Sequence, residues 1–146
     1  MGGESKEITR DVFEKAVEER DLKGYTVYHG PKYGDDKKHY FENADIFVQP
    51  TYEDCFPLTL LEAMQYKLPI ISTDEGAVPD IVNDGENGFV CKRQDISSTA
   101  TAIEALLRNK EKRTHMSENG YKIFKNKFTL EVFNNNIARI LKELAS

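Results

Sequence analysis

The sequence predicts an α/β protein, a Rossmann-like open parallel sheet flanked by helices. Three observations carry that expectation. Short apolar runs without clean alternation, IFVQP (Ile46 to Pro50) and PIIST (Pro69 to Thr73), read as buried strands, and ENGFVCK (Glu86 to Lys92) reads as a turn followed by another. Segments with apolar residues at helical spacing lie between and after these runs. Strands that alternate with helices in this way imply βαβ units and a parallel sheet covered on both faces.

The elements follow in order. Ile8, Val12, Ala16 and Val17 share one helical face, so residues 5–21 read as an amphipathic helix that Gly24 closes. TVYHG (Thr26 to Gly30) reads as a short strand ending in a Gly-Pro turn. A short polar helix is expected around Asp35 to Asn43, then the strand IFVQP. Leu58, Leu61, Ala63 and Met64 mark a helix from Pro57 to about Tyr66, with Pro57 in its first turn, where a missing N–H costs nothing. PIIST follows, then a short helix in EGAVPDIVND, then the strand of ENGFVCK. Ile96, Ala100, Ile103 and Leu107 mark a longer helix, and a polar one spans roughly Lys112 to Lys125. Leu130, Phe133, Ile137, Leu141 and Leu144 give the last helix a full apolar stripe.

Bulk properties bound the function. The chain has 146 residues, one domain's worth (1–146) and enough for a single core. A hydrophobic share of 39% against 31% charged residues is a soluble globular composition. The formal net charge of -5 argues against nucleic acid or an anionic membrane as a general partner. No apolar run approaches the ~20 residues of a membrane-spanning helix, and MGGESKEITR has no apolar signal core. Cys55 and Cys91 have no metal-ligand spacing and read as free thiols in a reducing cytoplasm.

In an open parallel sheet the ligand lies beyond the carboxyl ends of the strands. The junctions after Gly30, Val48, Thr73 and Val90 are therefore the places for chemistry. The richest is DCFPLTLLE (Asp54 to Glu62), which sets one carboxylate before a helix and a second inside it. A carboxylate with two acceptor oxygens fits a vicinal diol. Asp54 is thus a candidate for sugar hydroxyls and Glu62 for a ribose. The plainer alternatives are that Asp54 caps the helix and that Glu62 is solvated. Its apolar neighbours Leu60, Leu61, Ala63 and Met64 make Glu62 stand out, because an acid in such a setting needs a partner.

Thr59 and the amides of Phe56 and Leu58 lie at the same helix start, where a diphosphate is favoured. Pro57 takes one donor from this group, and the Thr59 hydroxyl has its own helix as an alternative partner. Gly76 permits a tight turn at a strand end, either for close approach to a ligand or for the turn alone. NDGENG (Asn83 to Gly88) is a turn by composition. His29, His39 and His115 do not cluster, and no acidic pair resembles a metal site.

The combined motif, ADIFVQPTYEDCFPLTLLEAMQYKLPIISTDEGAVPDIVNDGENGFV, resembles the signature half of retaining glycosyltransferases of the GT-B fold (glycosyl transferases group 1). The likeness is greatest to the large bacterial group that builds capsule, lipopolysaccharide and other surface glycans. That group reads adifv-PS, an acid, G-F-G-L, two residues, LEAMA-G-PVV, GG-PEIV and a DG-NG turn. The match runs over roughly Tyr25 to Val90.

The resemblance implies roles. Its carboxylate pair, with seven residues between, falls on Asp54, near the donor sugar as the catalytic acid position, and Glu62, on the nucleotide ribose. Phe56, Pro57 and Leu58 would lie along the sugar and diphosphate, with Thr59 near the phosphates. There are departures. The first acid of the pattern is Glu and here is Asp54, with Glu53 beside it allowing a shifted register, and the two glycines are Cys55 and Pro57. The resemblance also implies an incomplete C-terminal domain. Two opening strands, an Arg and Lys that neutralise the diphosphate, and the acceptor domain have no counterpart here.

The expected function is the donor-binding portion of a retaining, hexosyl-type transferase that moves sugar from a nucleotide-sugar to a glycan or lipid-linked acceptor in surface polysaccharide biosynthesis. Its donor substrate is a nucleoside diphosphate sugar, with no cofactor and no metal. The chain alone is expected to be inactive and cytoplasmic, the full enzyme membrane-peripheral. The missing acceptor domain in cis or trans is its expected partner, and a homodimer through exposed surface is a further expectation. The rival readings are a non-catalytic nucleotide-sugar-binding module or subunit of a split transferase, and a sugar-nucleotide epimerase of similar architecture, since fold alone does not fix chemistry.

Overall fold

A computed structural model describes residues 9–145. The chain divides into two compact units, Met1–Glu42 and Asn43–Ser146.

The first unit holds α1 (Arg10–Glu19) and α2 (Gly34–Glu42). Thr9 caps α1, its hydroxyl accepting the Val12 N–H at 3.4 Å. The helix is shorter than expected from the sequence, and residues 5–8 of that expectation, with Ile8, lie outside the described residues. The expected strand Thr26 to Gly30 does not form. A single bridge joins Lys23 and Thr26, and Tyr25 and Val27 are 86% and 68% exposed. Residues that favour strands form one only where a neighbour takes up the backbone groups, and none of the described strands pairs with this segment. Side chains hold it instead. The Tyr28 ring packs on Phe13 at 5.7 Å, and the Tyr40 hydroxyl bonds His29 Nδ1 at 2.9 Å.

The second unit runs β1 (Phe47–Gln49), α3 (Leu58–Gln65), β2 (Ile70–Thr73), α4 (Val78–Ile81), β3 (Gly88–Cys91), α5 (Ile96–Arg108), α6 (Lys110–Lys127) and α7 (Leu130–Leu144). The strands form one parallel sheet in the order β1-β2-β3. Phe47 pairs with Ile70 and Gln49 with Ser72, while Ile70 pairs with Gly88 and Thr73 with Cys91. This is the open parallel sheet with flanking helices that the sequence predicts, and every expected element from β1 onward is present.

The sheet's central strand decides the core. All four residues of β2 are buried. Successive side chains point to opposite faces. Ile71 meets Cys91, Ala102, Leu106 and Met116, which brings α5 and α6 onto one face. Ile70 points the other way. Leu60, Met64, Val78, Ile81 and Val82 are buried too, each of these apolar side chains stabilising by roughly 1.5–3 kcal/mol. Gly88 is required at its place: a Cβ there would stand 2.3 Å from the Ile70 carbonyl oxygen. Buried Asn87 satisfies its amide locally, accepting from the Asn83 N–H at 2.7 Å and donating to the Ile81 carbonyl at 3.3 Å.

The apolar stripe of α7 is present but stays exposed along Leu130, Phe133, Ile137, Leu141 and Leu144. Among the described residues, no helix is long and apolar enough to cross a membrane.

Candidate functional site at the strand ends

The three strands are parallel, so Gln49, Thr73 and Cys91 end at the same edge of the sheet. The loops that leave them are tied together by backbone and side-chain bonds. The Gln49 carbonyl accepts from the Ser72 hydroxyl at 2.8 Å, and the Thr51 carbonyl from the Thr73 hydroxyl at 2.6 Å. The Cys55 carbonyl accepts from the Ala77 N–H at 3.0 Å. From the third loop, Arg93 donates to the Tyr52 carbonyl at 3.3 Å and to Glu75 at 3.0 Å, while its N–H bonds Asp74 at 2.9 Å. Such cross-links hold a loop in one shape by removing the unsatisfied backbone groups that would otherwise seek water.

Gly76 is the closest point of this construction. It sits at φ +53°, and a Cβ on it would lie 1.9 Å from the Asp54 carbonyl oxygen and 3.0 Å from that of Cys55. The sequence left open whether this glycine serves a turn or a close approach. The structure adds a reason that neither alternative named: the backbone at this glycine packs against the loop that carries Asp54.

That loop delivers the chain into α3. Pro57 is the N-cap, one position earlier than the first-turn place expected for it, with φ -74° and ψ 96° and no side-chain capping bond. By contrast Thr9, Asp95, Asn109 and Thr129 cap α1, α5, α6 and α7 with side-chain oxygens. The start of α3 therefore keeps its backbone donors and the positive end of its dipole without a capping oxygen. Leu60 already returns its N–H to the Pro57 carbonyl at 3.0 Å.

The structure places each candidate. Asp54 is half-buried in the loop and does not cap α3, which settles one alternative. Neighbouring Glu53 is exposed. Phe56 and Leu58 are exposed at 44% and 65%, and Pro57 between them is buried. Thr59 is half-buried, and its hydroxyl donates to the Gln49 side chain rather than to its own helix. Glu62 lies half-buried on the second turn of α3. Asp54 and Thr59 are joined through one residue that sequence reasoning passed over. Gln49 donates its amide N–H to Asp54 Oδ2 at 3.5 Å and accepts from Thr59. The signal was present as a polar side chain closing an apolar strand run, where burial demands partners.

A mostly apolar hollow of about 310 Å³ opens beside the same strand ends, with Tyr52, Thr73, Ile96 and Ile103 in its walls. None of Asp54, Thr59 or Glu62 lines it. Among the described residues, no group of three His, Cys, Asp or Glu is arranged to hold a metal ion.

Comparison with known proteins bears on this geometry. A family model described as "Glycosyl transferases group 1" matches residues 2–123. The chain is 31% identical over 101 residues to the capsular polysaccharide biosynthesis glycosyltransferase CapM of Staphylococcus aureus, covering 69% of this chain and 27% of that one. Among solved structures, the sucrose-phosphate synthase of Thermosynechococcus elongatus superposes with a TM-score of 0.84 at 24% identity, covering 99% of this chain and 38% of that one. Anabaena HepE, solved with UDP-glucose, gives a TM-score of 0.82 at 18% identity, with 97% of this chain and 40% of that one covered. The chain thus spans about a quarter of the length of CapM and under half of those two structures.

Proposed function

The chain belongs to the family of glycosyl transferases group 1, and we propose that it is the donor-binding portion of a retaining transferase acting on a nucleoside diphosphate sugar. The observation that carries this reading is the start of α3. An uncapped helix N-terminus follows directly on a braced loop that carries one carboxylate, and a second carboxylate lies one turn into the helix. Helix N-termini favour diphosphates, and carboxylates favour hydroxyl pairs. A ligand made of phosphate between two sugars matches that order of groups. HepE, which shares this fold, has been solved with UDP-glucose and with UDP.

The roles follow from position. Glu62 takes the ribose hydroxyls. The backbone at Phe56, Pro57 and Leu58 lies along the diphosphate, with Thr59 beside it. Asp54 faces the donor sugar. As the glycosidic bond breaks, charge develops on the leaving diphosphate, and backbone dipoles already aimed at it stabilise that charge without reorganisation. The acceptor hydroxyl attacks from another part of the whole protein. The reading calls for no cofactor and no metal. CapM, by its name, serves capsular polysaccharide biosynthesis, and a hexosyl transfer to a surface glycan in the cytoplasm, peripheral to the membrane, is the corresponding whole-protein function.

Calorimetric titration of UDP, GDP and ADP into the chain and into Glu62→Ala tests the assignment. A hydrogen bond to a charged group contributes about 1.5–3 kcal/mol, so the substitution should weaken the preferred nucleotide tenfold or more. Unchanged affinity would remove Glu62 from the site.

A further inference from the structure

Three of the bonds that Gln49 makes at the end of β1 together fix more than a fold. Its backbone carbonyl is held by the Ser72 hydroxyl at 2.8 Å, which anchors the strand end. Its side chain spans two candidate ligand groups, with Asp54 at 3.5 Å on one side and Thr59 on the other. The direction of the amide is forced by the chemistry of its neighbours. An ionised carboxylate only accepts hydrogen bonds. The NH₂ must therefore face Asp54, which leaves the amide oxygen for Thr59. That oxygen has no proton to give, so the Thr59 hydroxyl donates to it.

The Thr59 proton is then committed inward. What Thr59 turns outward is the lone pairs of its oxygen. Asp54, likewise, presents acceptors alone. We propose that Gln49 is a positioning residue that aligns Asp54 and Thr59 as a pair of acceptors, so that together they read the hydroxyl protons of the donor sugar. The diphosphate oxygens, which need donors, are left to the backbone N–H groups at the start of α3. This rests on the donor-site reading given above and deepens it, with one change, that the Thr59 hydroxyl serves the sugar rather than the diphosphate: Gln49 divides the junction into a half that accepts from sugar and a half that donates to phosphate. The bond to Asp54, at 3.5 Å, is at the outer limit of hydrogen bonding.

A bland alternative exists, in which a half-buried glutamine has simply found two partners. The alternatives differ in which ligand feels a substitution. Gln49→Glu keeps size and keeps an acceptor for Thr59, but it cannot donate to Asp54 and sets a second carboxylate against it. Thr59→Val keeps shape and removes the hydroxyl. Each variant is titrated with UDP, GDP and ADP and with the matching glucose donors, and its unfolding temperature is measured in parallel. Both variants should lose tenfold or more in affinity for the preferred sugar donor while binding of the bare nucleoside diphosphate stays within about twofold. Parallel loss for both ligands, or no loss, overturns the inference and leaves the donor site standing. A wild-type chain that binds none of the six ligands overturns the donor-site reading and this inference with it. Should Gln49→Glu fail to fold, Thr59→Val alone decides, because its hydroxyl is the group whose direction the inference fixes.

Discussion

Replacing Gly76 by alanine is the perturbation whose size the structure states most directly. The added Cβ would stand 1.9 Å from the Asp54 carbonyl oxygen, when real Cβ contacts essentially never fall under 3.0 Å. The obstacle is backbone, so no side chain can swing aside. Either the loop or the turn after β2 must move by about an ångström. The φ of +53° adds a second cost, since an L side chain in the left-handed region loses roughly 1–2 kcal/mol. Displacement also threatens the bond from the Ala77 N–H to the Cys55 carbonyl, worth about 1 kcal/mol. The sum is on the order of 2–3 kcal/mol, a fall in unfolding temperature of about 10 °C for a domain of this size. Gly85 provides the control. Its φ is +78°, but nothing lies within 4 Å of its Cβ position. Gly85→Ala should therefore show the left-handed strain alone. Calorimetric unfolding of both variants, with nucleotide titration of each, measures the difference. Gly76→Ala should lose more stability than Gly85→Ala and should also lose ligand affinity, because the displaced loop carries Asp54. Equal losses in the two variants, with ligand binding intact in both, would refute the claim that this glycine braces the site.

Two further outcomes are expected. The Ser98 N–H holds the Asp95 carboxyl below the usual carboxylate range while Asp95 caps α5. A depressed carboxyl stabilises the fold above its ordinary pKa of about 3.9, and that contribution fades as pH falls through the lowered value. Asp95→Ala should therefore unfold at a lower temperature at pH 7, with the gap from wild type narrowing as pH is taken well below 4; a gap that persists unchanged would show that the charge plays no part. The exposed stripe of α7 should drive self-association at micromolar concentration, most simply as a symmetric dimer. Sedimentation equilibrium should show a dimer that Phe133→Glu dissociates, and a monomeric wild type would refute it.

Much of the second unit was legible in the sequence because its signals are local. IFVQP, PIIST and GFVC are apolar runs bounded by turn residues, and each became a strand in a parallel sheet. The first unit resisted for the opposite reason. TVYHG has the β-branched and aromatic residues of a strand, but a strand is a relation between two segments, and composition supplies only one of them. Its residues are held by Phe13 and Tyr40, which no pattern within the segment reveals. The α7 stripe shows the same limit. Periodicity fixed the helix and its apolar face, while burial depends on what meets that face.

The site divides along the same line. The spacing of Asp54 and Glu62 is a property of one strand–loop–helix segment, so reading along the chain finds it. What sets the loop's shape is contact between segments. Gly76 presses on a residue 22 positions away in the chain, and Arg93 reaches Tyr52 across 41. Gln49 belongs to both classes. It is close in sequence to Asp54 and Thr59, yet its meaning comes from direction: only when a carboxylate stands on one side of the amide does the hydroxyl on the other side become a donor. A motif records which residues occur and how far apart. The polarity of a hydrogen-bond chain decides which ligand atoms they can bind, and that polarity is what the proposed division of the junction, acceptors for the sugar and the helix start for the phosphates, rests on.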